Sequence, residues 1–86
     1  MRKVKIGWLH AASVSSLLRK LGSEPGIPPD LRANAGYWAH AMARKMDRRD
    51  LQTVAWLLLS ASGERSVTSA RRRNARYWAN FLEGQI

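Results

Sequence analysis

The octapeptide RANAGYWA at residues 32–39 returns as RRNARYWA at residues 72–79. The same offset of forty residues holds over a wider window without a gap, because residues 14–39 and 54–79 are identical at ten positions. A repeat this regular predicts that the chain is built from two copies of one structural unit. The identical pairs are Val14/Val54, Leu17/Leu57, Leu18/Leu58, Glu24/Glu64, Arg32/Arg72, Asn34/Asn74, Ala35/Ala75, Tyr37/Tyr77, Trp38/Trp78 and Ala39/Ala79.

Each copy has the sequence pattern of helix, turn, helix. Gly22 and Gly63 are expected to end the first and third helices as left-handed caps, and Asp47 is expected to cap the start of the third. The turns between them contain the glycine and proline residues that interrupt helices. We therefore predict four helices, over residues 8–21, 30–46, 48–62 and 67–83.

Two hairpins are too few for an open array of repeats, which needs about three units to cover its faces. A closed four-helix bundle buries the apolar faces of two hairpins more completely. We therefore predict an all-α four-helix bundle, built from two duplicated αα-hairpins with pseudo-twofold symmetry. Residues 1–86 are expected to form a single helical domain, with a basic N-terminal arm at 1–6, a first hairpin at 7–46 and a second at 47–86.

The composition favours a cytoplasmic protein. The chain has no cysteine, which excludes disulfides and thiolate metal sites and fits a reducing compartment. Its longest uninterrupted apolar run, residues 54–59, is far shorter than the roughly 18 residues of a membrane span. The basic residues at the start are not followed by the apolar run of a signal peptide. We expect an unprocessed, cytoplasmic chain without a membrane span.

The repeated octapeptide lies on a largely apolar helical face. The structural interpretation is that tryptophan fills the core, alanine lets a neighbouring helix approach, and tyrosine keeps its hydroxyl in water. The alternative is that arginine, asparagine and the Tyr-Trp pair form a platform on which nucleic-acid bases stack. We favour the structural interpretation, because a duplicated core needs one such motif in each copy. The face comprises Leu31, Ala35, Trp38, Ala39, Met42 and Met46 in helix two, and Ala75, Trp78, Ala79 and Leu82 in helix four.

The charge of the chain indicates an anionic partner. Fifteen basic residues against six acidic ones give a net charge of +9, and eleven of the fifteen are arginine. The planar guanidinium group suits phosphate and carboxylate, and a strong net charge bears on partners rather than on fold. The alternative is a surplus of arginine without any binding role.

The two copies differ most on the outer face of helix four. Arg73 and Arg76 stand where helix two has Ala33 and Gly36, and Arg72 lies beside them. Cations near a helix start are disfavoured by the helix dipole, so an external anion explains these arginines better than helix stability does. The predicted anion-binding residues are Arg72, Arg73 and Arg76, the arm residues Arg2, Lys3 and Lys5, and Arg48 and Arg49 at the start of helix three. Pairing with Asp47 and Asp50 is the alternative for Arg48 and Arg49.

A second difference lies in helix three, which is apolar on its back as well as on its core face. It has Ala55, Trp56 and Leu59 where helix one has Ser15, Ser16 and Arg19. An exposed apolar patch of this kind is typical of an interface. Either a second chain or the N-terminal segment around Val4, Ile6 and Trp8 is expected to cover it. The predicted partner interface comprises Ala55, Trp56, Leu59, Gly36 and His40.

The sequence offers little for catalysis. The six carboxylates fall mainly at predicted turns and helix ends, where capping explains them. His10 and His40 have no ligand partner nearby in sequence, and there is no glycine-rich phosphate loop. We therefore expect no enzymatic activity, no cofactor and no metal.

Three functions remain open at this stage. The leading hypothesis is an accessory protein that binds the backbone of DNA or RNA, largely independently of sequence. The second is a protein-binding regulator or inhibitor, of the kind encoded by phages and mobile elements, that docks on an acidic surface of a larger complex. Self-association as a homodimer through helix three belongs with this second hypothesis. The third is a membrane-active cationic peptide, which the mutually satisfied core stripes disfavour.

Overall fold

Four helices account for most of the chain. The computed structural model describes residues 7–42 and 46–85, apart from the side chains of Trp8 and Leu9. The helices are α1 (Trp8–Gly22), α2 (Pro29–Ala41), α3 (Arg48–Ser62) and α4 (Ser69–Gln85). Within the described residues there is no strand, so the prediction of an all-α fold is confirmed. The helices form a bundle in which α1 packs mainly on α2 and α3 mainly on α4.

The helix starts follow from local chemistry. Pro29 occupies the first turn of α2, where its fixed φ and missing N–H cost nothing. Asp47 precedes α3 and forms a capping box, in which its Oδ1 accepts from the backbone N–H of Asp50 at 2.9 Å. The Oδ2 of Asp50 in turn accepts from the backbone N–H of Asp47 at 3.3 Å. Thr68 caps α4, because its Oγ1 accepts from the backbone N–H of Arg71 at 3.3 Å.

Three helix boundaries differ from the prediction by two or more residues, and one of them is the end of α4, which lies at Gln85 rather than at residue 83. Helix α2 ends at Ala41 rather than at residue 46. The backbone of Asp47, which caps α3, is extended (φ −91°, ψ 178°), so a single helix cannot continue into α3. Helix α4 begins at Ser69 rather than at residue 67, because Val67 lies in the preceding turn and buries its side chain in the core. Residues 43–45, which the prediction placed in helix two, lie outside the described residues.

The predicted left-handed caps are wrong. No glycine among the described residues has a positive φ. Both α1 and α3 instead end in a tightened turn, in which Ser23 N–H donates to Lys20 O at 3.1 Å and Gly63 N–H donates to Ser60 O at 3.2 Å. These bonds occupy carbonyl groups that the end of a helix leaves free.

The core includes the apolar positions that α1 and α3 share, and the tryptophans of the octapeptides lie at its edge. Trp38 and Trp78 are partly buried against the core, and each meets its neighbouring tyrosine edge-on at 5.1 Å between ring centroids. The tyrosines remain exposed at the rim. The fully buried centre is aliphatic and includes Val14, Leu18, Leu21, Leu51, Val54, Leu58, Val67 and Leu82.

Candidate functional site

The first turn of α4 is unusually basic. Ser69 and Ala70 are followed by Arg71, Arg72 and Arg73, and this turn contains no acidic residue. A cation in the first turn of a helix meets the positive end of the helix dipole, which typically costs about 0.3–1 kcal/mol at an exposed site. Local helix energetics therefore oppose this arrangement, and the arginines must be explained by what they contact.

Three of the arginines line one pocket, which we call the arginine pocket. Arg72, Arg73 and Arg76 surround an open pocket of about 240 Å³ between the end of α3 and the start of α4, with Ser62 and Ser69 beside them. Arg72 is half-buried, whereas Arg73 and Arg76 are exposed. The structure thus brings together the three residues of helix four that the sequence singled out.

A hydrogen bond holds the guanidinium end of the Arg72 side chain. Its Nη2 donates to Ser69 Oγ at 3.3 Å. Its Nε is buried without a hydrogen-bond partner. A buried polar group left without a partner costs about 1–3 kcal/mol, so native proteins seldom keep one without a reason.

Arg32 stands forty residues before Arg72, at the same position of the matching octapeptide. Its Nε is also buried and without a partner. The neighbouring positions, however, hold Ala33 and Gly36 instead of two further arginines. The chain therefore contains two similarly placed guanidinium groups, of which Arg72 alone lies within a cationic cluster.

Arg71 faces away from the arginine pocket. Successive residues of an α-helix lie about 100° apart around its axis, and Arg71 forms an ion pair with Glu24 in the connection between α1 and α2. This is the only ion pair within the described residues. No carboxylate of the described chain therefore neutralises Arg72, Arg73 or Arg76.

The remaining predicted cations are not brought to the arginine pocket. Arg48 and Arg49 are exposed at the start of α3, and neither is among the residues that line the pocket. The carboxylates of Asp47 and Asp50 accept backbone hydrogen bonds, and in the described structure neither forms an ion pair with these two arginines. The predicted arm residues Arg2, Lys3 and Lys5 lie outside the described residues, as do Val4 and Ile6.

The predicted partner interface is accessible only in part. Trp56 is 59% exposed and Leu59 is 37% exposed, and we call these two residues the Trp56 patch. Ala55 has no exposed surface, so its assignment to a partner interface is wrong. The physical reason is its spacing: Ala55 is four residues after Leu51 and three before Leu58, which places it on the core face.

Gly36 and His40 lie on the exposed face of α2. A Cβ atom added to Gly36 would meet nothing within 4 Å. Among the described residues, no close approach of another helix therefore requires a glycine at this position. These two residues lie on the surface, as a partner interface requires.

Sequence reasoning missed two features of this region. Ser62 and Ser69 line the pocket and stand forty residues after Gly22 and Pro29. A change from nonpolar to polar residues at this offset is therefore the sequence signal of the pocket. The ion pair of Glu24 with Arg71 has no such signal, because it joins residues 47 positions apart.

None of the described helices combines the length and the hydrophobicity that crossing a membrane requires. The described residues also contain no group of three histidine or carboxylate side chains that could hold a metal ion. No protein-family model, curated protein or solved structure matches this chain.

Proposed function

We propose that this chain is a small basic accessory protein that binds the phosphate backbone of nucleic acid through the arginine pocket. The observation that carries the proposal is the convergence of Arg72, Arg73 and Arg76 on one pocket without a carboxylate partner among the described residues. Guanidinium groups bind phosphate oxygens through paired N–H donors. The start of α4 adds the partial positive charge of a helix end.

The geometry suits a backbone rather than base edges. Arg72 and Arg76 are one turn apart, about 6 Å along the helix axis, so they could contact neighbouring phosphates of one strand. Phosphate contacts position a protein on nucleic acid but carry no sequence information. The proposal is therefore a binding role without catalysis, in the cytoplasm, on DNA or RNA, with little dependence on sequence. Arg48, Arg49 and the arm residues Arg2, Lys3 and Lys5 would add further backbone contacts.

We further infer that the bundle consists of two copies of one hairpin, related by a pseudo-twofold axis. Helix α3 begins and ends forty residues after α1, and α4 begins forty residues after α2. The bonds that end the first helix of each pair also recur at this offset, from Glu24 N to Leu21 O and from Glu64 N to Ala61 O. Ile27 and Val67, which are buried in the two connections, are also forty residues apart. On this view Arg73 and Arg76 were acquired by the second copy alone.

Salt dependence tests the proposed function. Each phosphate contact on a single strand contributes about 0.7 to the slope of log K against log salt concentration. Replacing Arg72, Arg73 and Arg76 by glutamine should therefore lower the slope by about 2 and weaken binding at low salt. Fluorescence anisotropy with labelled single-stranded and double-stranded oligonucleotides at several salt concentrations measures both quantities.

Arg32→Gln is the matched control, because it removes a comparable guanidinium from the copy that lacks the cluster. It should leave the slope nearly unchanged. Binding that does not respond to salt, or a triple variant that binds like the wild type, would reject the proposal.

A second function is supported by the Trp56 patch. A tryptophan that is 59% exposed beside an exposed leucine is a typical anchor for a protein partner. The chain would then act as a regulator that docks on an acidic protein surface, or would join a second copy of itself through α3. Trp56→Ser restores the residue type found at the equivalent Ser16, and this surface change should alter stability by less than about 0.5 kcal/mol.

Two outcomes distinguish these functions. If the Trp56→Ser variant keeps full affinity for nucleic acid and the triple arginine variant loses it, nucleic acid is the ligand of the arginine pocket. If light scattering of nuclease-treated protein gives a dimer mass that falls to a monomer mass in the Trp56→Ser variant, the patch joins two copies.

A further inference from the structure

Two surface grooves lie where one helix pair meets the other. The first, which we call the α1–α4 groove, encloses about 590 Å³. The second, the α2–α3 groove, encloses about 280 Å³. The α1–α4 groove is lined by Ala12, Ser13, Ser16, Leu17, Lys20, Thr68, Ala70, Arg71, Asn74 and Trp78. The α2–α3 groove is lined by Leu31, Asn34, Trp38, Thr53, Trp56, Leu57 and Ser60.

The two grooves are built from equivalent positions. Every residue that lines the α2–α3 groove has its counterpart at an offset of forty residues in the α1–α4 groove. Three of the seven pairs are identical, and these supply leucine, asparagine and tryptophan to both grooves. The pairs are Ser13/Thr53, Ser16/Trp56, Leu17/Leu57, Lys20/Ser60, Arg71/Leu31, Asn74/Asn34 and Trp78/Trp38.

The remaining pairs give the grooves different sizes and charges. In the α2–α3 groove, Trp56 and Leu31 are large apolar walls. In the α1–α4 groove the same positions hold Ser16 and Arg71, and Lys20 replaces a serine. Pockets that bind small molecules usually enclose about 300–1,000 Å³ and combine an apolar lining with a few polar groups. The α1–α4 groove falls in this range, and its counterpart, with about half the volume, lies just below it.

The α1–α4 groove also continues along the surface. An adjoining depression of about 620 Å³ shares Ser16, Lys20 and Arg71 with it and extends to Arg19 and Glu24. Glu24 pairs with Arg71 and holds that guanidinium at the boundary between the two depressions. Lys20 and Arg19 are exposed and form no ion pair in the described structure, so the continuous groove carries a net positive charge.

We propose that the α1–α4 groove binds an unpaired nucleotide of a single strand. The base would lie over Leu17 and the edge of Trp78, with the side-chain amide of Asn74 able to donate to and accept from the base edge. Lys20 and Arg71 would contact the phosphates on either side of it. The inference rests on the proposed function, and it adds a preference for single strands over duplexes.

The preference for single strands follows from the accessibility of their bases. Bases in a duplex are stacked and paired, so their faces cannot enter a groove, whereas those of a single strand are free to contact apolar and aromatic surface. The arginine pocket requires only phosphate and therefore accepts both forms. The groove lies on the opposite flank of α4, where Arg71 rather than Arg72 supplies the charge.

The test fills the α1–α4 groove with the residues found at the equivalent positions of the α2–α3 groove. The double variant Ser16→Trp/Lys20→Ser gives the α1–α4 groove the residues of positions 56 and 60. Closing the groove removes the contacts of the base, so the affinity for a single strand should fall by about tenfold. The affinity for a duplex of the same sequence should change by less than about threefold, corresponding to the loss of one cation.

A smaller substitution provides a second test in case the double variant does not fold. Asn74→Ala should weaken single-strand binding severalfold, and Asn34→Ala in the α2–α3 groove should not. Both asparagines are exposed, so neither change should impair folding. Circular dichroism and the unfolding midpoint are measured for every variant.

The outcomes separate this inference from the proposed function. If neither form of nucleic acid binds at low salt, the proposed function fails. If both forms bind and the arginine-pocket variant is impaired, but closing the groove and Asn74→Ala change single-strand affinity no more than duplex affinity, the groove inference fails and the proposed function stands.

Discussion

A buried Nε atom distinguishes Arg32 and Arg72 from an ordinary surface arginine. The Nε of Arg72 is removed from water without a partner, while the Nη2 of the same group reaches Ser69. The side chain is thus partly ordered before any ligand arrives, and ordering a long side chain is one of the costs of binding. Arg73 and Arg76, which are exposed, have to be ordered by the ligand itself.

Substitution of alanine for Gly36 and for Gly26 should change the stability of the chain in opposite directions. Gly36 lies inside α2 with open space where a Cβ would stand. Gly36→Ala should raise the free energy of unfolding by about 1 kcal/mol, because glycine is a poorer helix former than alanine. A Cβ at Gly26 would collide with Ser66 of the other connection, so Gly26→Ala should destabilise the chain. Urea denaturation measures both changes. Equal effects at the two positions would show that the connections do not pack as described.

At the scale of the helices, the clearest sequence signals are those that start α2 and α3. Pro29 and Asp47 are residues that favour the start of a helix. The predicted starts of α2 and α3 lie within one residue of the observed ones. The end of α2 was predicted too late, because Met42 and Met46 continue an apolar spacing although only Met42 adjoins the helix. Burial in the core does not require a helical backbone.

The capping box of α3 gives a measurable contribution to stability. Asp47→Ala removes an acceptor of a backbone N–H and should cost about 1 kcal/mol. Asp30→Ala is the control, because it removes the same charge from the first turn of α2, where no side chain caps the helix. The control should cost less than about 0.5 kcal/mol. If chemical denaturation gives equal losses for the two variants, charge near a helix start rather than the capping box accounts for the effect.

The candidate site was predictable to the extent that it lies on one helix. Arg72, Arg73 and Arg76 share a face by their spacing alone, and the comparison of the two copies drew attention to them. Ala55 was misassigned although its spacing from Leu51 and Leu58 identifies the core face. The ion pair of Arg71 with Glu24 and the α1–α4 groove depend on which helices become neighbours, and the local sequence pattern does not contain that information.

At the scale of the whole molecule, α4 has more arginines than any other described helix. Four of its arginines lie in the first half of α4, and they divide between two flanks. Arg71 lines the groove shared with α1, while Arg72 and Arg76 line the pocket shared with the end of α3. A strand that crossed the start of α4 could therefore contact both, with its phosphates in the arginine pocket and an unpaired base in the groove.

The signals of the two buried Nε–H groups in a nuclear magnetic resonance titration test the central claim most directly. Arg72 and Arg32 each have a buried Nε without a partner, and only Arg72 lies in the cationic cluster. Addition of a short single-stranded oligonucleotide should shift the Arg72 Nε–H signal in a saturable manner and leave the Arg32 signal in place. A titration in which both signals move equally, or in which the Arg72 signal stays fixed while the oligonucleotide binds, would contradict the assignment of the arginine pocket as the phosphate site.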